Sequence, residues 1–261
     1  MSFYASWRAD ENACVGFLPD RQAENYFLTM NAKTGFLRLL LKNWPALYFR
    51  LIRIPRVCTA TQDAKFWNLH AQLLQDGRCT QFPRERYNLW ALARQVQALP
   101  GAYAEAGVYD GGSARILCEA KGTEPLHLFD TFEGMPETDP KADPHFVAGQ
   151  FADTNRQKVA NYLSAFPNVH IHQGFFPASA AAVPADSQFK FVHLDLDIYR
   201  STLDGLRYFY PRLVRKGIIV SHDYGNVTAP GVKQAFDEFL AETDEPLLQL
   251  WDTQCVLIKT R

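Results

Sequence analysis

Phe191-Val-His-Leu-Asp-Leu-Asp-Ile-Tyr-Arg-Ser-Thr202 is the stretch that decides the fold of this chain. Apolar residues lead into two aspartates, Asp195 and Asp197. A helical pattern follows, in which Leu203, Leu206, Tyr210 and Leu213 recur behind Ser201, which reads as the N-cap. Alternate residues of a strand share a face, so the spacing predicts that both carboxylates emerge together at a strand's end. Gly217-Ile-Ile-Val-Ser-His-Asp-Tyr-Gly225 is a second apolar run of this kind, closing on His222 and Asp223. In an open α/β sheet, ligands bind beyond the carboxyl ends of the strands. These four side chains are therefore expected to converge on one site.

Working outward, strand and helix patterns alternate from Ala102 to the C-terminus. Strands are predicted at 102–108, 125–130, 168–173, 189–195, 216–221, 246–251 and 254–260, and helices at 112–120, 153–166, 201–213 and 231–241. The alternation predicts a doubly wound, mostly parallel α/β sheet of seven strands. Only Asp252-Thr253 separates the last two strands, so they are expected to close as an antiparallel hairpin. A helix over 84–99 precedes the sheet. The irregular stretch from Thr131 to Ala152, with three prolines and several charges, is long enough to read as a lid or a disordered segment. Residues 1–83 are read as a helical N-terminal extension and 84–261 as the α/β domain.

Composition narrows the function classes. A chain of 261 residues holds one large domain, and a net charge of −1 gives no whole-chain case for a nucleic-acid partner. The five cysteines are scattered without metal-type spacing, which fits a reduced, cytoplasmic protein. Neither a signal peptide nor a transmembrane run is evident. From Asn25 to Gln62 acids are absent, while Lys33, Arg38, Lys42, Arg50, Arg53 and Arg56 interleave with aromatic and aliphatic residues. This segment reads as a lid or homo-oligomer element ahead of the alternative, peripheral membrane contact by residues 25–60.

The first strand runs into Glu105-Ala-Gly-Val-Tyr-Asp-Gly-Gly-Ser113. Gly107, Gly111 and Gly112 permit a tight turn and close backbone approach, and Ser113 opens a helix whose free amides face a ligand. The G-x-G-x-x-G spacing of a dinucleotide loop is missing. Glu105 would repel a pyrophosphate but attract a cation, which favours S-adenosylmethionine, with its sulfonium and ammonium, over NAD. Asp130, ending the second strand, suits the two hydroxyls of a ribose, the alternative being a turn cap.

Together with Phe129-Asp-Thr-Phe-Glu-Gly-Met-Pro136 and Gln173-Gly-Phe-Phe-Pro177, these motifs resemble class I S-adenosylmethionine-dependent methyltransferases, and within them the macrocin and novobiocin sugar O-methyltransferase family. The resemblance covers roughly residues 84–260. It implies a Rossmann-like sheet with a final antiparallel hairpin, and methyl transfer to a hydroxyl of a sugar or glycosylated metabolite. It also implies a divalent cation, Mg2+ or Mn2+, held by three carboxylates. Gly174 enters the cofactor site with the motif that holds it. Asp195 falls at the first metal-ligand position, Asp197 at that of the presumed general base, and Asp223 at the second acid of a paired Asp-Asp. His222 replaces the first acid of that pair; it is thus a metal ligand of altered chemistry or an alternative base. The rival readings are an NAD-dependent oxidoreductase on a Rossmann-like fold, against which the missing G-x-G-x-x-G argues, a catechol-type O-methyltransferase, and a non-catalytic membrane- or partner-binding protein on the same scaffold. His127, His170, His172 and His193 are read as packed or hydrogen-bonded strand residues, His145 as a candidate substrate contact, and Phe175, Phe176 and Trp251 as candidate adenine stackers.

Overall fold

The computed structural model describes residues 59–261. Most of the basic, aromatic segment 25–60 lies outside them. The chain divides into two compact units, Met1–Pro83 and Arg84–Arg261. In the first, α1 (Ala64–Asp76) is opened by Asp63, whose side chain accepts the Phe66 amide, and closed by Gly77 in the left-handed conformation. Its stripe of Phe66, Trp67, Leu69, His70 and Leu73 is buried.

The second unit is a seven-stranded sheet in the order β3-β2-β1-β4-β5-β7-β6. It opens with α2 (Pro83–Gln95) and continues β1 (Ala102–Ala106), α3 (Gly112–Lys121), β2 (Leu126–Asp130), α4 (Arg156–Tyr162), β3 (Val169–Gln173), β4 (Phe189–Leu194), α5 (Tyr199–Arg212), β5 (Leu213–Ser221), α6 (Pro230–Thr243), β6 (Leu247–Gln249) and β7 (Cys255–Ile258). The strands β1 to β5 pair in parallel, and β7 runs antiparallel to both β5 and β6. The alternation and the final hairpin are as the sequence predicts, but the hairpin loop is longer than its two expected residues, running from Leu250 to Gln254.

Every residue of β1 and β4 is buried, as expected of central parallel strands covered on both faces. On one face Phe129, Phe176, Phe189 and Phe209 pack ring against ring. Each such side chain contributes roughly 1.5–3 kcal/mol by leaving water, so this cluster welds α5 to the sheet. Gly205 lets α5 lie close: a Cβ there would come within 3.2 Å of Leu194 and Leu196. Between β3 and β4 a short 3-10 turn, Ala178–Ala182, stands in place of a crossover α-helix. Near it the three histidines of β2 and β3 stay half-buried or exposed, with His127 Nδ1 3.0 Å from His172 Nε2 and its ring stacked on His170.

The predicted start of α5 is corrected. The helix begins at Tyr199, not behind Ser201, and its first amide donates to Asp143 Oδ1 at 2.8 Å. The cap therefore comes from the long loop between β2 and α4. That loop is internally bonded, with Met135 and Gly149–Gln150 exchanging amide hydrogen bonds of 2.7 and 2.8 Å and Asp143 buried. It is anchored through its middle onto α5 and the start of α6, where Gly231 leaves room for Asp143.

Candidate active site

The strand order reverses between β1 and β4, and the site forms beyond the carboxyl ends of these strands and of β5. The loops leaving β1 and β4 are pressed together: the Asp195 amide donates to Ala106 O at 2.9 Å, and a Cβ on Gly107 would lie 1.7 Å from Asp195 O. Gly107 is thus required by the close approach of two strand ends as well as by its φ of +87°. One strand further, the His222 amide donates to Leu194 O at 2.8 Å.

The four predicted side chains do converge, though not by strand alternation. β4 ends at Leu194, before either aspartate. Asp197 instead sits at φ 63°, with Ile198 N bonded back to Leu196 O at 2.7 Å, a γ-turn of the strained, positive-φ kind. Asp223 is left-handed too, at φ 62°. Backbone strain at two neighbouring acids is the kind that concentrates at functional sites.

His222 is the hub. Its Nδ1 lies 2.9 Å from Asp223 Oδ2 and 3.2 Å from Asp195 Oδ1, and its Nε2 lies 3.2 Å from Glu85 Oε2. Burial alone would lower its pKa, but the carboxylates of Asp223, Asp195 and Glu85 raise it well above the usual imidazole range. Asp223 is buried, which would raise its pKa, yet the imidazole of His222 and the amide of Asn226 (2.7 Å from Oδ1) bring it down to about 2. Asp197 goes the other way: burial first, then the charges of Asp223 and Asp195, push it well above the usual carboxylate range. Environments that drive neighbouring acids apart in this way separate a proton acceptor from a fixed charge.

Glu85 and Asn226 were not singled out in the sequence. Asn226 follows Asp223 by three residues, in a turn closed by its own amide on Asp223 O. Glu85 comes from α2, at a sequence separation of 137 from His222.

On the cofactor side, Gly111 is left-handed (φ 83°) and caps α3, whose first residues are Gly112 and Ser113. Asp130 holds the loop in front of that helix. Its Oδ2 accepts the amides of Val108 (2.7 Å) and Tyr109 (2.8 Å), and its Oδ1 accepts that of Phe132 (2.7 Å). The turn-cap reading is therefore present in the structure. Gly174, at φ 131°, bonds through its amide to Asp130 O and brings the β3 end beside this loop. Glu105 is fully buried and bonded across the sheet to His193 Nδ1 at 2.7 Å, and burial raises its pKa against that bond. Its pull on a cationic ligand would act through the field and not by contact. Of the aromatic candidates, Phe176 belongs to the core, Phe175 is half exposed, and Trp251 is 87% exposed on the hairpin loop.

The residues fit a divalent cation. Asp195, His222 and Asp223 each offer a ligand atom, all within 4.8 Å of one another. The two carboxylates that flank Nδ1 favour positive charge there, and a cation would take the place of a proton. One imidazole among two carboxylates suits manganese, iron or zinc better than magnesium, which strongly prefers oxygen.

The parallel sheet with its inserted antiparallel last strand, the glycine loop at the switch point and the acidic cluster beside it define the class I methyltransferase fold. Among solved structures the chain is similar to the O-methyltransferase NovP (22% identity, 70% of this chain and 83% of that one, TM-score 0.62) and to the calicheamicin methyltransferase CalS11 (19% identity, 94% and 99%, TM-score 0.62). Among curated proteins it is 32% identical over 146 residues to an 8-demethyl-8-(2,3-dimethoxy-alpha-L-rhamnosyl)-tetracenomycin-C 4'-O-methyltransferase of Streptomyces olivaceus, covering 49% of this chain and 55% of that one. It is 27% identical over 164 residues to demethyldecarbamoylnovobiocin O-methyltransferase of Streptomyces niveus, covering 56% and 60%. The chain thus spans little more than half the length of these two relatives. The family model described as Macrocin-O-methyltransferase (TylF) matches residues 85–259, and the chain belongs to that family.

Proposed function

We propose that this protein transfers the methyl group of S-adenosylmethionine to a hydroxyl of a sugar carried by a natural product. The observation that carries the reading is Asp197. It is a half-buried acid of raised pKa, in a strained turn, next to the glycine loop at the switch point. Family membership supplies the donor, and the rhamnosyl group in the name of the tetracenomycin relative supports a sugar-linked acceptor.

In this reading the loop Gly107–Ser113 and Gly174 cradle the donor. Asp130 keeps part of its acceptor capacity for the ribose, since a carboxylate has roughly four acceptor sites and three amides occupy it. Asp197 takes the acceptor hydroxyl's proton as its oxygen attacks the methyl carbon in line and the carbon–sulfur bond breaks. Such a base contributes about 10²–10⁴-fold, and orientation of the two reactants supplies much of the rest. His222, both of whose ring nitrogens are engaged by carboxylates, is the alternative base. A divalent cation on Asp195, His222 and Asp223 would lower the hydroxyl's pKa.

The test is a methyl-transfer assay against glycosylated acceptors, simple catechols and nucleotide sugars, with and without EDTA. Methylation confined to sugar hydroxyls supports the reading; turnover of catechols alone would replace it with the catechol-type activity.

A further inference from the structure

The interaction that neither the family resemblance nor the sequence motifs supply is the one between His222 and Glu85. Glu85 lies in the first turn of α2, where the helix dipole favours a negative charge. Its side chain is only 1% exposed. Its Oε1 accepts the Thr253 hydroxyl at 2.7 Å and the Thr253 amide at 3.4 Å, from the β6–β7 loop. Its Oε2 lies 3.2 Å from His222 Nε2. Two elements far apart in the chain thus fix one carboxylate behind the imidazole.

We infer that Glu85 is the positioning residue of a carboxylate–histidine–metal relay, one that holds His222 as a metal ligand beside Asp195 and Asp223. Nε2–H donates to Glu85, so Nδ1 is the nitrogen turned toward Asp195 and Asp223. A ligating histidine whose other nitrogen donates to a buried carboxylate is held in one tautomer and made a stronger donor; losing such a partner typically weakens metal affinity 10–100-fold. The expected ligand is a divalent ion that accepts imidazole, such as manganese or cobalt, in preference to magnesium. This inference rests on the cation reading proposed above.

Cobalt(II) titration of the purified, EDTA-stripped protein tests it, read by visible absorption and by calorimetry. The wild type should bind cobalt more tightly than magnesium, and Glu85→Gln should lose about 10–100-fold in cobalt affinity while retaining S-adenosylhomocysteine binding. In a His222→Asp background, adding Glu85→Gln should cost no further cobalt affinity. Unchanged cobalt affinity in Glu85→Gln would overturn the relay alone. An equal loss in the His222→Asp background would reduce Glu85 to a structural buried acid. No cobalt binding to the wild type would overturn the cation reading and the relay with it.

Discussion

Asp197 and Asp223 are two residues of one type whose side chains interact directly, and the protein drives their proton affinities in opposite directions. The cause is local: Asp223 has the imidazole of His222 and the amide of Asn226, whereas Asp197 has burial and two negative neighbours. Asp197→Asn should lower turnover by about 10²–10⁴-fold and leave S-adenosylhomocysteine affinity nearly intact. The wild type should lose kcat/KM on acidification with an apparent pKa above the usual carboxylate range, a limb absent from Asp197→Asn. Retained activity in that variant would remove the base. Gly107→Ala is predicted to cost at least about 2 kcal/mol, because a methyl there overlaps Asp195 O in a left-handed backbone; urea denaturation checks this. The convergence of Asp195, Asp197, His222 and Asp223 was legible from two apolar runs that end in polar residues. The γ-turn that brings Asp197 round was not, because nothing in Leu196-Asp-Ile198 marks a positive φ. Glu85 did leave a trace: it lies four residues before Leu89 on the apolar stripe of its helix, where an unpaired acid would be costly.

Elements show how far local signals reach. Ser201 has the chemistry of a cap, yet α5 starts two residues earlier, because Asp143, remote in sequence, reaches its first amide. The long loop, whose length read as a lid or a disordered segment, is internally bonded and pinned to α5 by the same contact. Asp143→Ala should destabilise the domain by about 1–2 kcal/mol, and Asp143→Asn, an equally good cap, by much less; thermal melts distinguish the two. The sheet edge carries a different prediction. Burial, and then His172 and His170, bring the His127 pKa down to about 4 from the ordinary 6.5. Between these values the unfolded chain binds more protons than the folded one, so stability is present above pH 6.5 and is lost as the pH falls toward 4. His127→Phe should flatten that acid limb in melts recorded across this window.

At the scale of the molecule, periodicity sufficed for the sheet. β1 and β4 are buried on both faces, and a hairpin too short for a crossover had to be antiparallel. Among the described residues, no helix is long and apolar enough to cross a membrane. The acceptor's identity was not legible, since acceptor pockets are built from loops whose chemistry follows no spacing rule. The central claim is a methyl-donor site at the β1–β4 switch point, and calorimetric titration with S-adenosylhomocysteine tests it most directly. Saturable binding in the micromolar range, weakened by Asp130→Ala, is the predicted result. Absence of binding with or without manganese would contradict the account and leave a methyltransferase fold without its activity.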